Sequence, residues 1–128
     1  MMNLTINTPH EGLVRKFVEW LCSELQIRPR GLEIYAQDDL DGALGMCMDV
    51  SDDEFMILVK TKHRDIGDYF VTIAHEMIHV KQYLKENLGH WMDSCSDIPY
   101  RERWWEVEAF GESGPLVEKF AKGLQVEV

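Results

Sequence analysis

The sequence predicts an α+β fold in which one helix precedes a small sheet and further helices follow it. Three observations lead to this prediction. A four-residue apolar period marks a helix near the N-terminus, polar and apolar residues alternate in three segments after it, and helical spacing returns in the second half of the chain. Helices and strands grouped in this way are typical of α+β domains. We therefore expect an antiparallel or mixed sheet of about three strands.

The N-terminal helix is predicted from its start signals and from its apolar stripe. Thr8 is the expected N-cap, Pro9 the first helical position, and Glu11 completes a capping box. Apolar residues then recur at every fourth position and give the helix one apolar face: Leu13, Phe17, Leu21 and Leu25. Pro29 and Gly31 are expected to end this helix.

Three extended segments follow, in which polar and apolar residues alternate. They read GLEIYAQ (31–37), ALGMCMDV (43–50) and EFMILVKTK (54–62). The acidic turn SDD (51–53) joins the second segment to the third, so we expect these two to form a hairpin.

The second half of the chain is predicted to be helical. A long helix is expected from about Asp68 to Leu88, and Gly89 lies where a helix commonly ends. Pro99 is expected to open another helix, which reaches about residue 111. GPLVEKFAKGLQ (114–125), with a proline near its start, is expected to form a short last helix.

Length and composition favour a single domain spanning 1–128. A chain of 128 residues is long enough to bury a hydrophobic core. No apolar run approaches the ~20 residues of a membrane span, and the first residues lack the pattern of a secretion signal. The net charge of −10 disfavours binding to a phosphate backbone. We therefore expect neither a nucleic-acid partner nor membrane association.

The cysteines indicate a reducing compartment. Cys22, Cys47 and Cys95 are odd in number, lie far apart and form no CxxC pair. This pattern favours a cytoplasmic location for the protein.

Residues 71–84, VTIAHEMIHVKQYL, place two histidines on the polar face of the long helix. A lone helix histidine is usually a core or surface residue. His75 and His79, however, lie one turn apart, as two ligands of one metal ion must. Glu76 projects to the side, where it reaches a metal-bound water without binding the metal. This HExxH pattern on an amphipathic helix indicates a zinc metalloprotease.

A catalytic zinc site needs a third protein ligand and an open fourth position. The segment 99–113 offers four glutamates: Glu102, Glu106, Glu108 and Glu112. Glu106 is favoured because Ala109, one turn further along, would let two helices approach closely. Glu108 stays open as the alternative, and His90 is a weaker one.

HEMIHVKQ (75–82), followed by WWEVEAF (104–110), resembles the gluzincin branch of zinc metallopeptidases, in particular its minimal single-domain forms from bacteria and phages. The resemblance covers about 40 residues, from 70 to 111. It implies that His75, His79 and Glu106 bind Zn²⁺ and that Glu76 is the general base.

The resemblance also implies a fold and a function. The fold is a small zincin-like domain whose sheet places an edge strand above the active-site helix, and segment 54–62 is the candidate for that strand. The function is that of a zinc metalloendopeptidase-like hydrolase. Such an enzyme cleaves peptide bonds of a peptide or protein substrate with a zinc-activated water, and Glu76 would act as its base.

Further residues near the motif are candidates for supporting roles. Tyr100, Arg101 or Arg103 could donate a hydrogen bond to the oxyanion that forms during hydrolysis. Gln82 and Thr72 share the helix face of the histidines and could bond their second ring nitrogens.

Two other functions remain open from the sequence. One is a catalytically inactive zinc-binding protein, and the other is an acidic protein-interaction module. The intact Glu76 favours the enzyme, because a structural zinc site has no use for a base and typically has four protein ligands. The acidic residues are also spread along the chain, which gives weaker support to an acidic interaction face.

Overall fold

A computed structural model describes residues 2–95 and 97–127 and shows an α+β architecture. In chain order its elements are β1 (Asn3–Asn7), α1 (Glu11–Glu24), β2 (Gly31–Ala36), β3 (Gly45–Ser51), β4 (Glu54–Val59), α2 (Ile66–Glu86), α3 (Leu88–Ser94), a short 3-10 helix (Tyr100–Glu102) and α4 (Trp104–Glu127). The predicted α+β class is therefore confirmed.

The four strands form one mixed sheet in the order β1-β2-β4-β3. β1, β2 and β4 run parallel to one another, and β3 is antiparallel to β4. The predicted hairpin is the β3–β4 pair, so that prediction is confirmed. The expected number of about three strands is too low, because β1 was not foreseen. Leu4 and Ile6 alternate with polar neighbours in β1, and this alternation was a usable signal.

The expectation that segment 54–62 supplies the edge strand is wrong. β4, which occupies this segment, lies inside the sheet between β2 and β3. Its alternate residues Phe55, Ile57 and Val59 are buried in the core. β1 and β3 form the two edges of the sheet, and β3 contacts α2. The open edge next to the long helix therefore belongs to β3.

The start of the first helix also differs from the prediction. α1 begins at Glu11, and its N-cap is His10 in the left-handed conformation, with φ 56°. The His10 carbonyl accepts the helical hydrogen bond from the Val14 N–H at 2.9 Å. The Thr8 hydroxyl donates to the carbonyl of Pro9 and caps no helical N–H. Because β1 extends up to residue 7, residues 8–10 form the turn between strand and helix.

The predicted break near the C-terminus is wrong as well. α4 is continuous from Trp104 to Glu127, with Pro115 inside it. A proline inside a helix removes one backbone hydrogen bond and costs about 3 kcal/mol. Packing on both sides of the proline offsets this cost, because Trp105 and Ala109 are buried before it and Phe120 after it.

Helix α2 is the central element of the molecule. It contacts β3 and β4 of the sheet as well as α1, α3 and α4. Ile73, Met77 and Val80 belong to the main hydrophobic core. The opposite face, which carries the two histidines, is also buried because it lies beside α4. None of the helices in the described part of the chain is long and apolar enough to cross a membrane.

Candidate metal centre

Helices α2 and α4 bring the three predicted zinc ligands together. His75 and His79 project from successive turns of α2, and Glu106 projects from the first turn of α4. The Nε2 atoms of His75 and His79 lie 3.0 and 3.3 Å from the same oxygen, Oε1 of Glu106. Among the described residues, these side chains are the single group of three or more His, Cys, Asp or Glu that could hold a metal ion, with ligand atoms within 4.8 Å of one another.

The donor set and its spacing fit zinc. Zinc–ligand bonds of about 2.0–2.1 Å in a tetrahedral site separate neighbouring ligand atoms by about 3.3 Å. The two separations from Glu106 are close to this value. All three residues are buried, with exposed fractions of 9%, 7% and 6% for His75, His79 and Glu106. Two imidazoles and one carboxylate are also a ligand set of hydrolytic zinc sites, in which a fourth position stays open.

The electrostatics keep Glu106 in the form that binds a cation. Burial alone would raise the pKa of its carboxyl, but hydrogen bonds with His75 and His79 outweigh burial and lower the pKa to about 2. The pKa of His79 is raised: burial opposes the charged imidazole, but the hydrogen bond with Glu106 and the charge of Glu76 favour it more. The carboxylate is therefore anionic at neutral pH and holds both imidazoles in place.

Glu76 lies beside this group without belonging to it. The residue is 7% exposed, and burial raises the pKa of its carboxyl, although His79 and His75 act in the opposite direction. A buried carboxylate with a raised pKa is a stronger base than an exposed one. This placement is the one expected of a general base next to a metal ion.

The start of β3 comes very close to Glu76. A Cβ atom added to Gly45 would lie 2.5 Å from Cγ2 of Thr72 and 3.1 Å from Oε2 of Glu76. A side chain at this position cannot fit unless its neighbours move. The importance of Gly45 was not predicted, although a glycine inside an alternating strand can signal a close backbone approach.

Two clefts meet at Glu76. The wide cleft has a volume of about 690 Å³ and includes His75 in its lining. The narrow cleft has a volume of about 170 Å³ and includes His79 and Glu106. Gly45, Glu76 and Tyr100 line both clefts. An extended molecule that occupied both clefts would therefore pass the carboxylate of Glu76.

The two candidate partners of the histidines have different roles in the structure. Oε1 of Gln82 lies 2.7 Å from Nδ1 of His79, so this residue contacts a candidate ligand. Thr72 does not contact a histidine in this way. Its hydroxyl oxygen accepts a hydrogen bond from Arg64 at 2.8 Å, and its hydroxyl faces the carbonyl of Asp68 at 3.5 Å.

The alternative ligands lie outside the group. The Glu108 carboxylate accepts hydrogen bonds from Lys81 and Gln82, each at 2.9 Å. The ring of His90 packs edge-on against Trp91 in α3. Neither Glu108 nor His90 shares the ligand group, and the same is true of the remaining two glutamates, Glu102 and Glu112.

Of the three candidate oxyanion donors, Tyr100 contacts a candidate ligand. A hydrogen bond from Tyr100 helps to lower the pKa of Glu106. The guanidinium of Arg101 lies 5.8 Å from the ring centre of Phe110. Nε of Arg103 donates to the carbonyl of Ile98 at 2.8 Å. The tyrosine is thus the member of this trio that lines the clefts.

Phe110 forms a wall of the site that sequence reasoning did not predict. Its ring packs edge-on against the His75 ring, with 4.6 Å between centroids. It lies four residues after Glu106 in α4 and so on the same helix face. This spacing from Glu106 could have indicated that Phe110 lies beside the ligand group. The contact restricts the orientation of the imidazole from the side of the wide cleft.

Comparison with known proteins adds no further information about the site. No protein-family model, curated protein or solved structure gives a significant match to this chain. A function must therefore be inferred from the HExxH motif and from the geometry of the site.

Proposed function

We propose that this protein is a zinc-dependent peptidase with a small zincin-like fold. In this proposal His75, His79 and Glu106 bind the ion, and Glu76 acts as the general base. The position of Glu76 carries the proposal: its carboxylate lies next to the ligand group, outside it, and at the junction of two clefts. A purely structural zinc site does not require a buried base at such a junction.

The chemistry follows from the roles of these side chains. Zinc in such a site activates water for attack and polarises the substrate carbonyl. The Glu76 carboxylate accepts the proton that the attacking water loses and then passes it to the leaving amine. Burial supports this role, because it raises the pKa of Glu76 and makes proton acceptance easier at neutral pH.

Tyr100 is suited to stabilise the oxyanion. Its hydroxyl reaches Glu106 and so lies within the site, while the residue as a whole is 51% exposed. Burial and the neighbouring Glu106 raise the pKa of Tyr100, so its hydroxyl stays protonated and can donate a hydrogen bond. A donor aimed at developing negative charge lowers the barrier of hydrolysis.

The open edge of β3 offers a place for a peptide backbone. The Leu44 carbonyl accepts from the Lys60 N–H at 2.9 Å, which places positions 44, 46 and 48 in hydrogen bonds with β4. Because bonding directions alternate in an antiparallel pair, the backbone groups of Gly45 and Cys47 point to the open edge. An extended substrate strand can pair with such groups. Gly45 lines both clefts, so this edge leads past Glu76.

The clefts also present apolar side chains to a substrate. Leu44 and Phe110 in the wide cleft are 54% and 52% exposed, and Met46 and Met92 in the narrow cleft are 40% and 41% exposed. Exposed apolar groups gathered at one site indicate an interaction surface. These side chains favour a substrate with apolar residues near the scissile bond.

The test is hydrolysis by the zinc-loaded parent and two matched variants, each checked for metal content. Glu76→Gln keeps the size of the side chain and the ligands but cannot accept a proton. We expect it to bind zinc like the parent and to lose peptidase activity by about 10²–10⁴-fold. Glu86→Gln makes the same change on the same helix, outside the ligand group, and should retain activity.

Each other outcome has a clear meaning. A parent without zinc, or with a zinc content unchanged by His75→Ala and His79→Ala together, refutes the metal assignment. Equal hydrolysis by the parent and Glu76→Gln refutes the role of this glutamate. A zinc-loaded parent that cleaves nothing in a broad peptide library favours the zinc-binding protein without catalysis.

A further inference from the structure

Gln82 connects the two helices that build the site. Its side chain is fully buried, with an exposed fraction of 0%. Its Oε1 lies 2.7 Å from Nδ1 of His79. Its Nε2 donates to the carbonyl of Trp105 at 3.0 Å and to Oε1 of Glu108 at 2.9 Å. The amide thus has a partner on each side, one in α2 and two in α4.

The chemistry of these partners fixes the orientation of the amide. A carbonyl oxygen and a carboxylate oxygen can only accept hydrogen bonds, so the NH₂ group of Gln82 must face Trp105 and Glu108. A reversed amide would place three oxygens together and take the Gln82 donor away from both acceptors. Lys81, 2.9 Å from Glu108, further favours the charged carboxylate as the acceptor.

The orientation of the amide in turn fixes the proton on His79. The Gln82 oxygen can only accept, so Nδ1 of His79 must donate and must carry a hydrogen. The neutral imidazole then has its lone pair on Nε2, which is the atom that faces Glu106 at 3.3 Å. A neutral histidine ligand needs this lone pair free for the metal.

We propose that Gln82 is a positioning residue that sets the tautomer of His79 for metal binding, and that Glu108 and the Trp105 carbonyl hold its amide in the required orientation. This inference rests on the proposed zinc site. It gives Glu108 an indirect role: the residue is not a ligand, yet it acts on a ligand through Gln82. Partners of this kind typically contribute 10–100-fold to metal affinity.

Removal of Gln82 should change the tautomer for a physical reason. In Gln82→Leu the acceptor next to Nδ1 of His79 is lost. Of the two acceptors described next to the His79 ring, the one that remains is Glu106, which faces Nε2. The proton should move to Nε2, where it blocks the metal position and must be released before zinc binds.

Two measurements test this proposal. Zinc affinity, measured by competition with a chromophoric chelator, should fall about 10–100-fold in Gln82→Leu. Histidine side-chain ¹⁵N NMR of the zinc-free protein, at a pH where His79 is neutral, should show Nδ1–H in the parent and a shift toward Nε2–H in the variant. The NMR measurement needs no metal, so it tests the inference even if the parent binds no zinc.

A matched control and a milder variant complete the experiment. Thr72→Val removes another buried hydrogen-bonding side chain from the same face of α2, but it should leave the zinc affinity and the His79 tautomer unchanged. Glu108→Ala removes a partly exposed partner of Gln82 and should change the zinc affinity and the His79 tautomer in the same direction, but less. This variant keeps the test possible if Gln82→Leu does not fold. An unchanged tautomer in both Gln82 and Glu108 variants, or an equal loss of affinity in Thr72→Val, would overturn the proposal.

Discussion

Substitution of Gly45 by alanine tests the close contact between β3 and α2. The added Cβ would lie 2.5 Å from Cγ2 of Thr72, and real Cβ atoms essentially never approach so closely. The backbone of β3 or the side chains of α2 must therefore move. Overpacking of this kind typically costs 1–3 kcal/mol, and we expect Gly45→Ala to lower the free energy of unfolding by about that amount. The measurement is urea denaturation of parent and variant.

A double-variant cycle can assign this loss to one contact. Thr72→Ser removes the Cγ2 atom and leaves the hydroxyl, so the combination with Gly45→Ala should recover part of the lost stability. We expect a coupling energy of about 1 kcal/mol, within the range seen for residues in contact. Gly12→Ala is the control, since a Cβ there meets nothing within 4 Å. An unfolding midpoint equal to that of the parent in Gly45→Ala would refute the described approach of β3 to Glu76.

Three further predictions concern the ligands and the donor. Glu106→Ala should lose most zinc affinity and Glu108→Ala only a small part, as measured by chelator competition; the reverse order would assign the third ligand to Glu108. Tyr100→Phe should lower kcat with little change in zinc content, and an unchanged kcat would exclude an oxyanion role. In zinc-free protein, protonated His79 stabilises the fold fully below its unfolded pKa of about 6.5. Because the pKa of His79 is raised in the folded protein, this stability is lost as pH rises through the folded pKa. The free energy of unfolding of His79→Ala, measured by urea denaturation, should lack this loss.

The local part of the site could be predicted because helix geometry fixes it. His75, Glu76 and His79 belong to one helix, and a spacing of four residues returns a side chain to the same face. Their placement needed no information on tertiary contacts. Glu106 required one more step, the pairing of α2 with α4, and the small Ala109 supplied the signal for it.

The sheet was less predictable, because strand order depends on contacts distant in sequence. Alternation marked β4 as a strand but did not distinguish an interior strand from an edge strand. That distinction depends on the parallel pairing of β4 with β2. The sequence of neither strand reveals this pairing. The close approach of Gly45 to Glu76 follows from strand order and was missed for the same reason. At Pro115 a strong local signal was overridden by packing.

Burial of the ligand group explains why the site needs so many hydrogen bonds. Two imidazoles and a carboxylate are costly to bury unless each finds a partner. In the structure Oε1 of Glu106 lies 3.0 and 3.3 Å from Nε2 of His75 and His79, and Gln82 bonds the second nitrogen of His79. A metal ion would replace the bonds to Glu106 but would leave those of Gln82 intact. The Gln82 bonds therefore hold α4 against α2, and they keep Glu106, the proposed third ligand, close to the two histidines.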